Sequence, residues 1–153
     1  MNVNLSLNQI CWCFTPKTYT SFDEFNKDVI NYQKSIGETD KAWKPDEIIL
    51  DSPELQIQYR AWITGPSDLL ENETLIDDYK SIFEEEPEED EYPVEIIAKF
   101  KADNGKNFTT LEFLIKLHNQ QANKELGDHV FFEGIDEPKI IHGIPTYYIA
   151  CGS

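Results

Sequence analysis

The chain has 153 residues, about the length of one ordinary domain, and its 40% of apolar residues are enough to form a single hydrophobic core. It carries 29 acidic side chains against 13 basic ones, a formal net charge of −16, which argues strongly against direct binding of nucleic acid through a basic patch. No stretch approaches the ~18 uninterrupted apolar residues of a membrane span. We expect one domain over residues 1–153, and we expect it to be cytoplasmic because the N-terminus lacks the basic and apolar regions of a secretory signal.

The first predicted strand covers Val3–Phe14, and a bulge or bend near Asn8–Gln9 places its two sets of apolar residues on one face. A helix follows, because Ser21 and Glu24 form a capping box and apolar residues recur at helical spacing after them. Gly37 is well placed to end this helix. The apolar residues that recur at this spacing are Phe22, Phe25, Val29, Tyr32 and Ile36.

A polar connection over residues 37–53 leads to a second predicted strand, Leu55–Ile63, in which apolar and polar residues alternate. Ser67 is a candidate N-cap for a helix predicted over about Asp68–Phe83. The alternation in Tyr92–Phe100 predicts a half-exposed strand. The order of these elements already mixes strands with helices.

The last third of the chain also contains a predicted helix and predicted strands. Thr109 and Glu112 form another capping box, which opens a helix that ends near Leu126–Gly127. Two strands complete the chain, about His129–Ile135 and Ile144–Cys151. The sequence therefore predicts an α+β fold, in which a single mixed or mainly antiparallel sheet carries about three helices packed on it.

The negative charge is concentrated in one segment. Residues Asp68–Pro93 contain 12 carboxylates and Lys80 as their only base, whereas the flanking regions carry net charges of only −3 and −2. Within this segment, Glu84–Glu91 has seven carboxylates in eight positions, and Pro87 prevents a continuous helix there, so an extended acidic loop is predicted at about 84–91. The loop either keeps the protein soluble or forms a negative surface for a basic partner.

The candidate partner-binding residues follow from the second interpretation. Trp62 lies on the polar side of its predicted strand, where it either packs under a helix or forms an exposed anchor for a partner. The acidic candidates are Asp77, Asp78, Glu84, Glu85, Glu86, Glu88, Glu89, Asp90 and Glu91.

No motif predicts a catalytic, metal or cofactor site. His118 lies at the margin of the apolar face of its helix, which favours a hydrogen-bonded core histidine over a ligand or base. Asp128, His129 and Glu133 lack the spacing of a metal site, since neighbours in a strand point to opposite faces. The three cysteines are expected to be reduced, structural thiols, and they are Cys11, Cys13 and Cys151.

Three segments near the C-terminus, Leu126–His129, Phe131–Gly134 and Pro145–Ser153, resemble the end of small bacterial immunity proteins, which are encoded beside polymorphic and contact-dependent toxins. The resemblance covers roughly a third of the chain. It implies a cytoplasmic, non-catalytic, single-domain protein that binds a cognate toxin domain, often a basic nuclease, and blocks its active site.

The leading hypothesis is therefore an immunity protein whose carboxylates pair with the basic side chains of a nuclease groove. Three alternatives stay open. A DNA mimic that inhibits a restriction or CRISPR-type effector would spread its carboxylates over much of the surface. A small enzyme would use His118, His129 or a cysteine, and an adaptor would use the acidic loop only for solubility.

Overall fold

The computed structural model describes residues 6–37, 43–76 and 91–153, and within them it forms nine β-strands and two α-helices. In chain order the elements are β1 (Trp12–Cys13), α1 (Phe22–Ser35), β2 (Ile48–Leu50), β3 (Glu54–Ile63), β4 (Glu73–Leu75), β5 (Tyr92–Lys101), β6 (Phe108–Thr109), α2 (Thr110–Gln121), β7 (Phe131–Ile135), β8 (Lys139–Ile141) and β9 (Ile144–Gly152).

Seven of these strands form one sheet. Its order is β1-β7-β9-β3-β5-β4, and β8 pairs with β9 beside this path. The β3–β9 pair is parallel and the other pairs of the sheet are antiparallel, while β2 and β6 form a separate two-stranded ribbon. The predicted α+β class with a mainly antiparallel mixed sheet is confirmed.

The two faces of the sheet differ in what covers them. Leu55, Ile57 and Tyr59, which share one face of β3, are fully buried, whereas Arg60 on the opposite face is exposed. Helix α2 packs on the buried face, where the rings of Phe113 and Tyr147 have their centroids 5.7 Å apart. The other face of β3 carries the polar alternation that the sequence predicts.

Both predicted N-caps form at the helix N-termini, whereas the two glutamates of the predicted capping boxes bind Lys17 and Lys116 instead. Ser21 Oγ accepts a hydrogen bond from the backbone N–H of Glu24 at 3.2 Å, and Thr109 Oγ1 accepts one from that of Glu112 at the same distance. Helix α2 is buried on most of its circumference because it lies between the sheet and α1. It ends at Gln121, several residues before the predicted end at Leu126–Gly127.

The helix predicted over Asp68–Phe83 is wrong in the part that the structure describes, and residues 77–83 lie outside it. A short 3-10 turn occupies Pro66–Asp68, and β4 pairs with β5 at the edge of the sheet. The number of helices is accordingly two among the described residues rather than about three. Pairing with β5, which cannot be seen in local spacing, outweighs the helical pattern here.

Glu73 in β4 shows why this segment is extended. Its carboxylate is buried and accepts hydrogen bonds from Tyr59 Oη at 2.5 Å, Gln120 Nε2 at 2.7 Å and the Leu70 backbone N–H at 2.7 Å. Lys124 Nζ lies 2.8 Å from the same carboxylate, and both side chains are almost completely buried. Burial disfavours the charged form, but these contacts together outweigh it and lower the pKa of Glu73.

The N-terminal strand is also shorter than predicted. Ser6–Gln9 form a 3-10 helix, so the predicted strand is wrong there, and only β1 is extended. Leu7, Ile10 and Phe14 are nevertheless all buried, because the turn replaces the expected bulge and returns the apolar residues to one side. Of the predicted strand, residues 3–5 lie outside the described part.

The described ranges contain no helix that is both long and apolar enough to cross a membrane.

Candidate functional site

The parallel strands β3 and β9 separate after a short contact, and a concave feature lies where they separate. They pair only between Gln56–Gln58 and Thr146–Tyr148. Farther along β3, the backbone N–H of Trp62 instead donates a hydrogen bond to the carbonyl oxygen of Glu125 at 2.9 Å. The segment after α2 thus takes the place beside β3 that a longer β9 would occupy, and a wedge-shaped space remains between the two strands.

A tight turn holds the inserted segment against β3. Gly127 has φ +65°, a conformation in which side chains are strained. A Cβ atom at Gly127 would lie 3.3 Å from the Trp62 ring, so the absence of a side chain allows the ring to approach. His129 follows, with its ring centroid 6.5 Å from that of Trp62.

The space between the strands is a pocket of about 260 Å³. Gln121 and Ile149 form its floor and are 1% and 3% exposed, while Arg60 and Tyr148 are exposed at its mouth. The full lining consists of Arg60, Trp62, Gln121, His129, Tyr148, Ile149 and Cys151. A concave site with aromatic walls and a few polar groups at fixed positions has the general composition of a small-molecule pocket.

The floor of the pocket carries an unused hydrogen-bond acceptor. The Gln121 side-chain amide hydrogen-bonds to the Cys151 sulfur, yet burial dominates and raises the pKa of the Cys151 thiol to about 11. Cys151 is therefore a neutral thiol at physiological pH, not a thiolate nucleophile. Gln121 Oε1 is buried and has no hydrogen-bond partner among the described residues, although a buried amide oxygen is costly to leave unpaired.

The mouth of the pocket carries a positive charge. The guanidinium group of Arg60 lies 5.5 Å from the centre of the Trp62 ring and forms no salt bridge with another described residue. Glu95 is its cross-strand neighbour on β5, but the Glu95 carboxylate accepts a hydrogen bond from Gln58 Nε2 at 3.1 Å. The pocket thus combines a buried acceptor on its floor with a cation at its entrance.

Of the predicted partner-binding residues, Trp62 and Glu91 lie in the described part of the chain. Trp62 is half-buried on the open face, against Gly127 and His129, which lie outside the two described helices. Glu91 directly precedes Tyr92, which pairs with Ile63. The other acidic candidates lie outside the described residues, and they are Asp77, Asp78, Glu84, Glu85, Glu86, Glu88, Glu89 and Asp90.

His118 is a core histidine, in agreement with the favoured interpretation of its sequence position. Its Nδ1 accepts a hydrogen bond from Trp12 Nε1 at 3.0 Å, and its Nε2 donates one to the carbonyl oxygen of Lys17 at 2.7 Å. The side chain is completely buried, and this burial lowers its pKa. With both nitrogens engaged, His118 serves as a neutral bridge between the N-terminal segment and α2.

The remaining chemical candidates are dispersed. His129 Nδ1 lies 3.0 Å from the carboxylate of its neighbour Asp128, and both are exposed. Glu133 instead lies against Gly152, where an added Cβ would be 2.5 Å from its carboxylate oxygen. Within the described ranges, no three His, Cys, Asp or Glu side chains come together in a way that could hold a metal ion, and the three cysteines are free.

Sequence reasoning considered Trp62, His129 and Cys151 separately but did not predict that they line one pocket, and it did not select Gln121. Gln121 follows Leu117 by one helical turn, which places it on the buried face of α2. A buried glutamine needs hydrogen-bond partners, so a glutamine on the buried face of a helix was the sequence signal for this part of the pocket. No protein-family model matches this chain, and neither does any of the curated proteins or solved structures compared with it.

Proposed function

We propose that the protein is an immunity protein that neutralises a basic toxin domain, of the nuclease kind, by binding it through the acidic segment 77–91. The observation that carries this proposal is the charge distribution. Of the net charge of −16, −11 falls within residues 68–93, which are about one sixth of the chain. Such a concentration steers a basic partner to one place on the surface.

The described residues that flank the acidic segment support a common binding surface with Trp62. Ile76 donates its backbone N–H to the carbonyl oxygen of Glu95, and Glu91 immediately precedes the pair formed by Tyr92 and Ile63. Both attachment points therefore lie towards the end of the sheet where Trp62 is found. Trp62 is half-buried and 38% of Ile76 is exposed, so apolar contacts are available beside the charges.

This arrangement suits the inhibition of a nuclease. Carboxylates on the acidic segment would pair with the lysine and arginine side chains that normally hold phosphate groups. Charge would accelerate and orient association, while Trp62 would contribute to the lifetime of the complex, because aromatic residues are frequent anchors at interfaces. The protein would act in the cytoplasm of the cell that it protects.

The first experiment identifies the partner. The purified protein is used to capture binding proteins from its native lysate at low salt and at ~0.3 M salt, where contacts between exposed charges are largely screened. The expected result is one basic protein, retained at low salt, that arrests growth when expressed alone and is neutralised by co-expression of this chain. Capture of a large nucleic-acid-dependent effector complex would contradict the proposal and favour a DNA mimic.

The second experiment assigns the acidic segment. Glu85→Lys combined with Glu86→Lys is expected to reduce the association rate constant with the partner by about tenfold and to flatten its salt dependence. The matched control is Asp46→Lys combined with Asp51→Lys, since both residues are exposed and the change in net charge is the same. Equal effects of the two pairs would contradict a specific role of the acidic segment.

A further inference from the structure

We propose that the pocket between β3 and β9 is a binding site for a small aromatic carboxylate whose ring also carries an O–H or N–H donor. This proposed ligand site belongs to the chain without a protein partner, and it is separate from the proposed binding of a toxin. It rests on the pocket volume, on the unpaired oxygen of its floor and on the cation at its mouth, and each of these specifies one part of the ligand.

The volume and the walls specify a single aromatic ring. An apolar cavity of about 150 Å³ is known to hold benzene. The 260 Å³ between the strands therefore accommodates one ring with two substituents. Trp62 on β3 and Tyr148 on β9 both line the pocket, and aromatic side chains favour stacking or edge contacts with such a ring.

The floor specifies a hydrogen-bond donor. Gln121 Oε1 is the unpaired atom, in a side chain that is only 1% exposed. The amide of this side chain is in contact with Cys151, and Gln121 is one of the residues that line the pocket. A hydroxyl or ring N–H on the ligand would satisfy it, and a ligand without a donor would leave a buried acceptor unpaired.

The mouth specifies the carboxylate. Arg60 is exposed and has no salt bridge with a described residue, and a guanidinium group binds a carboxylate through two parallel hydrogen bonds. The large negative charge of the molecule opposes anions at long range, but at physiological salt this repulsion is screened beyond about 8 Å. A direct contact with Arg60 is screened much less.

The test uses 4-hydroxyphenylacetate as the probe and isothermal titration calorimetry as the measurement. We expect saturable binding with one site per chain. Phenylacetate lacks the hydroxyl and 4-methylphenol lacks the carboxylate, and we expect each to bind about tenfold more weakly. Failure of 4-hydroxyphenylacetate to bind at millimolar concentration, or equal binding of all three compounds, would overturn the proposal.

Substitutions then locate the site. Arg60→Gln is expected to weaken binding of 4-hydroxyphenylacetate by about tenfold and to leave that of 4-methylphenol unchanged, because only the first carries the carboxylate. Gln121→Met should weaken 4-hydroxyphenylacetate and leave phenylacetate unchanged. Lys106→Gln, at an exposed lysine in the turn after β5, removes the same charge as Arg60→Gln and is the matched control.

The ligand series on the unmodified protein keeps the inference testable if Gln121→Met folds poorly, since Gln121 is buried. Arg60 is exposed, so Arg60→Gln is expected to fold normally. Binding that is unaffected by Arg60→Gln, or weakened equally by Lys106→Gln, would show that the compound binds elsewhere and would overturn the proposal.

Discussion

The backbone N–H of Trp62 donates a hydrogen bond to the carbonyl oxygen of Glu125 at 2.9 Å, at the point of β3 where β9 is no longer paired with it. This bond holds Glu125 beside β3, beyond the three residues that pair with β9. The last residues of β9 pair with β7 on the opposite edge of β9, and a pocket lies where β3 and β9 are no longer paired.

The buried ion pair between Glu73 and Lys124 leads to a prediction about stability. Lys124→Met is expected to lower the free energy of unfolding by about 3–5 kcal/mol, because it leaves the Glu73 carboxylate buried without its cation. Lys99→Met breaks the Lys99–Glu54 ion pair, whose side chains are 42% and 38% exposed, and should cost far less. Urea unfolding of the two variants measures the difference, and equal losses would contradict the assigned role.

His118 leads to a prediction about pH. Its pKa is lowered in the folded protein, so the unfolded chain binds a proton first as the pH falls below the ordinary value of 6.5. The stability that neutral His118 contributes is therefore complete above pH 6.5 and is lost as the pH falls towards the lower pKa of the folded state. NMR titration should show His118 protonating below pH 6.5, and protonation of His118 at or above pH 6.5 would contradict its role as a buried neutral imidazole.

Gly134 leads to a prediction about packing at the start of the chain. It has φ +111°, and an added Cβ would lie 2.8 Å from the side-chain oxygen of Asn8, which accepts the backbone N–H of Ile135. Gly134→Ala is expected to cost about 1–3 kcal/mol through strain and loss of this contact. Gly105→Ala is the control, because Gly105 has φ +72° but open space around it, and thermal unfolding should show a smaller loss.

Cys151 leads to a prediction about thiol reactivity. With a pKa of about 11, its thiolate fraction near pH 8 is on the order of a hundredfold lower than that of a free cysteine. Alkylation by iodoacetamide, followed by peptide mass spectrometry, should modify the exposed Cys11 well before Cys151. Faster modification of Cys151 would contradict its burial beside Gln121.

The elements that sequence reasoning predicted correctly have local signals. Helix α1 follows the N-cap Ser21, and the long strands β3 and β5 follow a clear alternation of apolar and polar residues. Each of these signals reflects an interaction between residues that are close in the sequence. Such an interaction does not depend on how the rest of the chain folds.

The elements that were missed depend on partners far along the chain. The three residues of β4 are extended because they pair with β5 and because Glu73 meets Tyr59, Gln120 and Lys124. Two further short strands, β2 and β8, are likewise defined by pairing with β6 and β9. Short apolar runs carry no period that distinguishes a strand from a helix.

The residues of the candidate site also divide into those with a local sequence signal and those that depend on distant parts of the chain. Trp62 was recognisable from its position on the polar side of β3, whereas the pocket needs Gln121 from α2 and Cys151 from β9. These residues are far apart in the sequence and meet only because β9 leaves β3 early. A single sequence contains no local feature that records where two parallel strands stop pairing.

The strands at the margins of the large sheet are β1, β4 and β8, and they have two, three and three residues. An exposed edge can recruit a strand from another molecule only along its unpaired N–H and C=O groups, and within the described ranges these three short strands offer few of them. Shortness at the margins thus discourages the edge-to-edge growth that leads to fibrils. Among the described strands, β9 covers Gln56–Gln58 of β3 and β4 covers Ile96–Ala98 of β5, so each long strand lies between two strands of the same chain for part of its length.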